Sequence, residues 1–144
     1  MPTSQRHAQM LDWLVENPPK FAPMIALGAG ELSSWSEGVV KARWRINETF
    51  RLPDGSMFGG YIAALADQIL ALATFSVLPE DDDRFRTANL QTNFFRPLTG
   101  EWMNVEARVV NVSRRLIHVE GDFMNEDGKV AAHCTAVQSR RKAE

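Results

Sequence analysis

Hydrophobic residues recur along the chain at two different spacings, one typical of helices and one typical of strands. Over residues 4–17 they recur at helical spacing and leave a polar opposite face, and Pro18 and Pro19 follow directly. This pattern predicts an amphipathic helix over about residues 4–17 that the prolines end. A second segment, about residues 57–77, is apolar on nearly every side. We predict a long helix there that must be covered all round.

Alternation of apolar and polar residues predicts five strands. One run, from Val40 to Ile46, precedes the apolar helix. Four runs follow it, over residues 88–94, 103–109, 117–123 and 130–136. In the first of these four, one face carries Ala88, Leu90, Thr92 and Phe94. The stretch between the two prolines and Val40 does not alternate, and it is predicted to be a loop.

The connections between the last four runs are short, which predicts antiparallel neighbours, and Asp127-Gly128 is a strong hairpin signal. The order of elements predicts an α+β domain in which a curved antiparallel sheet wraps around the long central helix. No linker or repeat interrupts the pattern, so residues 1–144 are predicted to form a single domain. One end of the sheet is expected to pair with a second copy of the chain.

The composition argues against several classes of protein. Of the 144 residues, 44% are hydrophobic and 24% are charged, which is ordinary globular usage. The net charge of −2 leaves no broad basic surface for nucleic acid or for an anionic membrane. The single cysteine, Cys134, has no partner for an internal disulfide and is expected to pack. Asp67 interrupts the apolar segment at its midpoint, so we expect no membrane span. The single cysteine suits a reduced, cytoplasmic compartment, and the charge balance predicts no nucleic-acid partner.

Two places on the apolar helix are suited to chemistry. Gly59 and Gly60 lie in its first turn, where backbone N–H groups have no helical acceptor and can hold an oxyanion, although tight helix packing explains paired glycines equally well. Asp67 is a candidate base or nucleophile, with an arginine pair or a solvent contact at a subunit boundary as the alternative. Gly59 and Asp67 are about 12 Å apart along a helix, so a site that uses both must join two subunits.

The remaining reactive side chains form no recognisable constellation. His7, His118 and His133 are scattered along the chain, and the last two fall on predicted strands. No H-E-x-x-H, P-loop, dinucleotide-binding or G-x-S-x-G motif occurs. We therefore expect no metal site.

Two stretches resemble a known family. Residues 55–73, GSMFGGYIAALADQILALA, are similar to the loop and central helix of hot-dog-fold acyl-CoA thioesterases of the phenylacetate-degradation type, in which His-Gly-Gly precedes Leu-x-Asp. Residues 87–138 resemble the four-strand run of the same family, most closely in Asn-Phe-Phe-Arg-Pro and Asp-Gly-Lys-Val-Ala. The likeness covers about residues 38–139 and implies a hot-dog fold, the same order of elements as the pattern predicts.

The resemblance also implies a reaction and the residues that perform it. It implies hydrolysis of an acyl-CoA thioester to a free acid and coenzyme A. Asp67 falls where the family places the carboxylate that attacks the thioester or activates water. Gly59 falls where a backbone N–H polarises the thioester carbonyl, and Thr87 where some members orient the attacking water. In that family the site is shared across a dimer.

The chain departs from the family pattern at two positions. Phe58 stands in place of the histidine before the two glycines, and Leu52 stands where an asparagine often assists. We expect Phe58, Gly60, Tyr61 and Ala64 to contact the substrate. The two departures leave open a second function, a hot-dog protein that binds acyl-CoA without hydrolysing it.

The expected partners follow from the same resemblance. They are an acyl-CoA substrate, with no cofactor other than the coenzyme A that belongs to it, and a second copy of the chain in a dimer or a dimer of dimers. Arg96, Arg114 and Arg115 either contact the phosphates of coenzyme A or are solvated strand ends. The sequence does not distinguish aromatic from medium-chain acyl groups.

Overall fold

The computed structural model describes residues 2–20, 22–28 and 30–141. In chain order its helices are α1 (Gln5–Glu16), α2 (Ala22–Ala26), a short 3-10 helix (Glu48–Phe50) and α3 (Gly59–Phe75). Its strands are β1 (Glu31–Ser36), β2 (Val39–Arg45), β3 (Arg84–Phe94), β4 (Trp102–Val112), β5 (Leu116–Met124) and β6 (Val130–Arg141). The predicted order of the two long helices and the last four strands is confirmed.

The six strands form one antiparallel sheet in the order β1-β2-β4-β5-β6-β3, which leaves β1 and β3 at its edges. The central helix α3 lies across one face of this sheet and contacts every strand from β2 to β6. The hot-dog fold expected from the sequence, a sheet around a central helix, is therefore confirmed.

The core lies between α3 and the inner face of the sheet. Side chains that are fully buried there come from one side of the helix and from alternate strand positions: Leu65, Ile69, Leu70, Ala107, Val119, Phe123 and Ala132. At Gly121 on β5 a Cβ atom would lie 3.1 Å from the Glu106 carbonyl oxygen and 3.4 Å from Leu70 Cδ2. A glycine at this point lets α3 approach the sheet closely.

The first helix is anchored at its start and again farther along its length. Its N-cap, Ser4, accepts a hydrogen bond from the His7 N–H at 3.1 Å, and the Ser4 N–H donates to the Leu78 carbonyl at 2.8 Å. Farther along α1, Asp12 accepts a hydrogen bond from the Trp35 indole N–H of β1 at 2.8 Å. These contacts place α1 beside β1 at one end of the sheet.

The prediction of a loop between the two prolines and Val40 is wrong, because this stretch contains α2 and strand β1. A register shift between Leu32 and Ser34 interrupts the pairing of β1 with β2. Such a bulge removes the regular alternation by which a strand is identified from sequence.

Within the single chain, α3 is not covered all round. Along one side of the helix Gly60 and Asp67 are exposed and Ala64 and Ala71 are half-buried. These four residues, which follow one another at helical spacing, form an open strip that neither the sheet nor α1 covers fully. Of the helices that the structure describes, none combines the length and apolar character needed to cross a membrane.

Candidate active site

The N-terminus of α3 presents backbone donors to one side of the molecule. Phe58 is the N-cap and makes no capping hydrogen bond through its side chain, so the first turn has no side-chain acceptor from its own cap. Within the described residues, the N–H groups of Gly59 and Gly60 donate to no protein acceptor outside the helix. They also have no acceptor within the helix, because they lie in its first turn. The helix dipole adds partial positive charge here, so this turn is suited to a negatively charged oxygen.

An open cleft of about 310 Å³ lies beside this turn. Its lining consists of Met57, Gly59, Ile62, Phe94, Phe95, Arg96, Pro97 and Leu98. We call it the Gly59 cleft. Phe94 and Phe95 are 53% and 60% exposed, which is unusual for such large apolar side chains, and Arg96 adds a positive charge at the rim.

Asp67 lies two turns farther along α3 and meets a hydroxyl group from the sheet. Thr87 Oγ1 of β3 donates to Asp67 Oδ1 at 2.9 Å, and both residues are exposed in the single chain. The structure therefore brings together two of the three residues expected to be catalytic. The hydrogen bond fixes one carboxylate oxygen and leaves the other free to act on a ligand.

A β-bulge aims Thr87 at the helix. Pairing of β3 with β6 shifts between Thr87 and Asn89, so Thr87 opposes Gln138 while Leu90 opposes Ala136. Because Gln138 and Ala136 point to the same face of β6, Thr87 and Leu90 share the face that packs toward α3. The sequence pattern placed Ala88 on this face with Leu90, but in the structure Ala88 is the residue that the bulge leaves without a partner on β6, and Thr87 takes the position toward α3.

Asp67 also lies on the rim of a second cavity, of about 500 Å³. Its lining residues come from α1, from α2 and the segment before it, and from α3: Met10, Trp13, Leu14, Lys20, Met24, Asp67, Gln68, Ala71, Leu72 and Phe75. We call it the α1–α3 cavity. No sequence signal marks the lining residues from α1 and α2, since the amphipathic pattern of a helix does not indicate which neighbour its apolar face contacts.

Gly59 and Asp67 belong to different cavities of the same chain. Eight residues of helix separate them, about 12 Å along the axis. Two groups that act on one carbonyl must both lie about 3 Å from it. Within a single chain the two groups are therefore too far apart to act on one carbonyl, because the Gly59 N–H lies at one end of α3 and the Asp67 carboxylate at its middle.

The other residues expected to contact substrate have diverse environments. Phe58 is 47% exposed and its ring covers Gly60, where a Cβ atom would lie 2.7 Å from the ring. Ala64 is half-buried on the open strip. Tyr61 is buried, donates to the Leu27 carbonyl at 2.6 Å and lines neither cavity, and burial raises its pKa to about 12. A substrate contact stays a prediction for these four residues.

A charged cluster lies on the opposite face of the sheet from α3. His133 donates to Asp122 at 2.7 Å, and Arg108 donates to both Asp122 and Glu120 at 3.0 and 3.2 Å. Burial raises the pKa of Asp122, but the hydrogen bonds from His133 and Arg108 outweigh burial and hold that pKa below its usual value. Cys134, as expected, packs in the core, where burial raises its pKa to about 12.

The thioesterase superfamily model matches residues 54–132, which is more than half of the chain and includes Gly59, Asp67 and Thr87. The comparison with curated proteins gave no match. Among solved structures, a phenylacetic acid degradation-related protein of Ralstonia eutropha is 27% identical, with 94% of this chain and 99% of that one covered and a TM-score of 0.79.

Two further structures share the fold at lower identity. A thioesterase family protein of Silicibacter pomeroyi is 22% identical, with 95% and 99% of the two chains covered and a TM-score of 0.80. A hypothetical thioesterase protein of Streptococcus pneumoniae, solved with coenzyme A, is 18% identical, with 83% and 92% covered and a TM-score of 0.74. On the strength of the family match and the shared fold, this chain belongs to the thioesterase superfamily and is a thioester hydrolase.

Proposed function

We propose that the protein hydrolyses an acyl-CoA thioester to a free carboxylic acid and coenzyme A, at a site shared by two copies of the chain. The observation that carries this proposal is the hydrogen bond from Thr87 to Asp67, which holds a carboxylate at the rim of an apolar cavity. The coenzyme A present in the Streptococcus pneumoniae structure supports coenzyme A as the thiol that the reaction releases.

Asp67 supplies the reactive oxygen in this proposal. Its free carboxylate oxygen either attacks the thioester carbonyl, forming an anhydride that water then opens, or removes a proton from a water molecule that attacks. In both routes the C–S bond breaks, the sulfur leaves with the bonding electrons and takes up a proton, and one water molecule is consumed. Thr87 orients the carboxylate through its hydrogen bond.

The Gly59 N–H stabilises the negative charge that develops on the carbonyl oxygen. Removing one such donor from an enzyme site typically lowers kcat by about 10²–10³. Because this donor is a backbone group, the replacement of the family histidine by Phe58 does not remove it. The exposed Phe58 ring instead makes the surroundings of the carbonyl more apolar, which strengthens the remaining hydrogen bond.

Pairing of two copies explains the exposed features of the single chain. Strand β3 is an edge strand whose side chains are mostly exposed, so its free backbone groups can pair with another strand. The open strip lies on α3, which packs against β3, and the exposed rings of Phe94 and Phe95 lie at the end of β3. A twofold axis through this surface would bring the Gly59 cleft of one protomer next to Asp67 of its partner. The dimer would then have two equivalent active sites.

The test is release of free thiol from a panel of aliphatic and aromatic acyl-CoAs. Asp67→Asn preserves the size of the side chain and removes its charge, and we expect it to lower kcat by about 10²–10⁴. Asp82→Asn is the matched control, because Asp82 is an exposed carboxylate that lines neither cavity. Parent-like turnover by Asp67→Asn, or acyl-CoA binding without turnover by the parent, would contradict the proposal.

A further inference from the structure

We propose that the α1–α3 cavity binds the acyl group of the substrate, so that the N-terminal helix selects uncharged acyl groups larger than acetyl. This inference rests on the proposed function, because it assigns a role to a cavity whose rim carries Asp67. It goes beyond the family match, since α1 and α2 lie outside residues 54–132.

The position of the cavity decides which part of the substrate enters it. The thioester carbonyl must lie about 3 Å from the Asp67 carboxylate, which lines the rim of this cavity. From that carbon the acyl chain and the coenzyme A arm leave in different directions. The Gly59 cleft is open and carries the cationic Arg96, which suits a phosphate-bearing arm. The apolar cavity is left for the acyl group.

The lining of the cavity suits an uncharged apolar group. Seven of its residues are hydrophobic: Met10, Trp13, Leu14, Met24, Ala71, Leu72 and Phe75. Its one cation, Lys20, is exposed, and the ammonium nitrogen lies 5.1 Å from the centre of the Trp13 ring, in a cation–π contact. A carboxylate at the end of an acyl chain would have to lose its hydration among these apolar side chains.

The size of the cavity suits more than an acetyl group. Its volume of about 500 Å³ falls within the usual range of small-molecule sites. Along α3 it extends from Asp67 to Phe75, eight residues or about 12 Å. Met10 and Met24 have flexible side chains that adapt to occupants of different shape. The cavity can therefore accept either a medium-length aliphatic chain or an aromatic ring.

Contacts at the start of α1 explain why the cavity does not close. His7 packs against Phe75, with 5.1 Å between the ring centres, and Ser4 is hydrogen-bonded to Leu78, so the first turn is attached to the end of α3. The later turns lie beside β1, where Asp12 is bonded to Trp35. Trp13, directly after Asp12, is left 40% exposed at the cavity wall.

The experiment compares kcat/KM for acetyl-CoA, octanoyl-CoA and phenylacetyl-CoA. Ala71→Phe fills the cavity and Trp13→Ala removes part of its wall. We expect each variant to lower the octanoyl-to-acetyl and phenylacetyl-to-acetyl ratios of kcat/KM by about tenfold or more. Val15→Ala is the matched control, because Val15 is on the same helix, is 40% exposed like Trp13 and does not line the cavity.

The outcomes separate this inference from the function on which it rests. If the parent hydrolyses none of the thioesters, the proposed function fails. If the parent hydrolyses them and Trp13→Ala leaves both ratios at the parent value, the inference is overturned while the function stands. Because Trp13 is partly exposed, Trp13→Ala is expected to fold, and it decides the question even if Ala71→Phe does not fold.

Discussion

Replacing Gly59 by proline removes one backbone N–H without breaking the helix. Gly59 is the first residue of α3, the helix position at which proline is tolerated best, because its N–H has no helical acceptor. The preceding residue, Phe58, has φ −65° and ψ 129°, which is the conformation that a following proline favours. Gly59→Pro is therefore expected to fold and to lose the donor assigned to the oxyanion.

A matched control isolates the N–H from the added bulk. A Cβ atom at Gly59 would lie 3.2 Å from Phe94 Cζ, so the Phe94 ring must move by a few tenths of an ångström. That ring is 53% exposed and free to give way. Gly59→Ala introduces the same Cβ atom and keeps the N–H, so the difference between the two variants measures the donor together with the rest of the proline ring.

The expected difference is large. Loss of one oxyanion donor raises the barrier by about 2.7–4 kcal/mol, a fall of about 10²–10³ in kcat. The assay is thiol release from the best substrate of the panel, with thermal unfolding measured in parallel to show that both variants are folded. Equal kcat values for folded Gly59→Pro and Gly59→Ala would refute the assignment of this N–H.

Three further results are expected. Thr87→Val removes the 2.9 Å hydrogen bond to Asp67, which is worth about 1.5 kcal/mol for a charged acceptor, so kcat/KM should fall about tenfold. Thr87→Ser should restore it, and parent activity in Thr87→Val would contradict the role of Thr87 in orienting the carboxylate. Gly30→Ala places a Cβ atom 2.2 Å from the buried Trp44 ring and should destabilise the fold by about 1–3 kcal/mol or more in urea denaturation, unlike Gly59→Ala. Hydrogen bonds hold the pKa of Asp122 below its ordinary value of 3.8, so the stability that this carboxylate contributes is complete above pH 3.8 and is lost as the pH falls through the lowered pKa. The free energy of unfolding should therefore depend less on pH in Asp122→Asn over about pH 2–5. The same dependence on pH in parent and variant would contradict this.

The sequence predicts the fold where its periodicity is regular. The apolar run of α3 and the alternation of β4 to β6 predict the central helix and most of the sheet, and the structure confirms them. The two errors in strand prediction coincide with β-bulges, between Leu32 and Ser34 in β1 and between Thr87 and Asn89 in β3. A bulge inserts one residue into the pairing, and nothing in the local composition of these strands marks its position.

The candidate site is predictable only in part. An acidic residue within an apolar helix singled out Asp67, and paired glycines singled out Gly59, from the chemistry of those positions alone. Thr87 came only from the family resemblance, because 20 residues separate it from Asp67 and their hydrogen bond depends on how the sheet packs on the helix. The α1–α3 cavity has no sequence signal, since its walls come from three separate segments.

Mixed dimers test most directly whether two copies of the chain share one active site. Asp67→Ala and Gly59→Pro are co-expressed with different affinity tags, and the heterodimer is purified by both tags in succession. Each variant alone should keep about one hundredth of the parent activity or less. In a shared site, the intact Gly59 of one protomer meets the intact Asp67 of the other once per heterodimer, so about half of the parent activity should return. A heterodimer with no more activity than the two single variants would show that Gly59 of one protomer and Asp67 of the other do not act together.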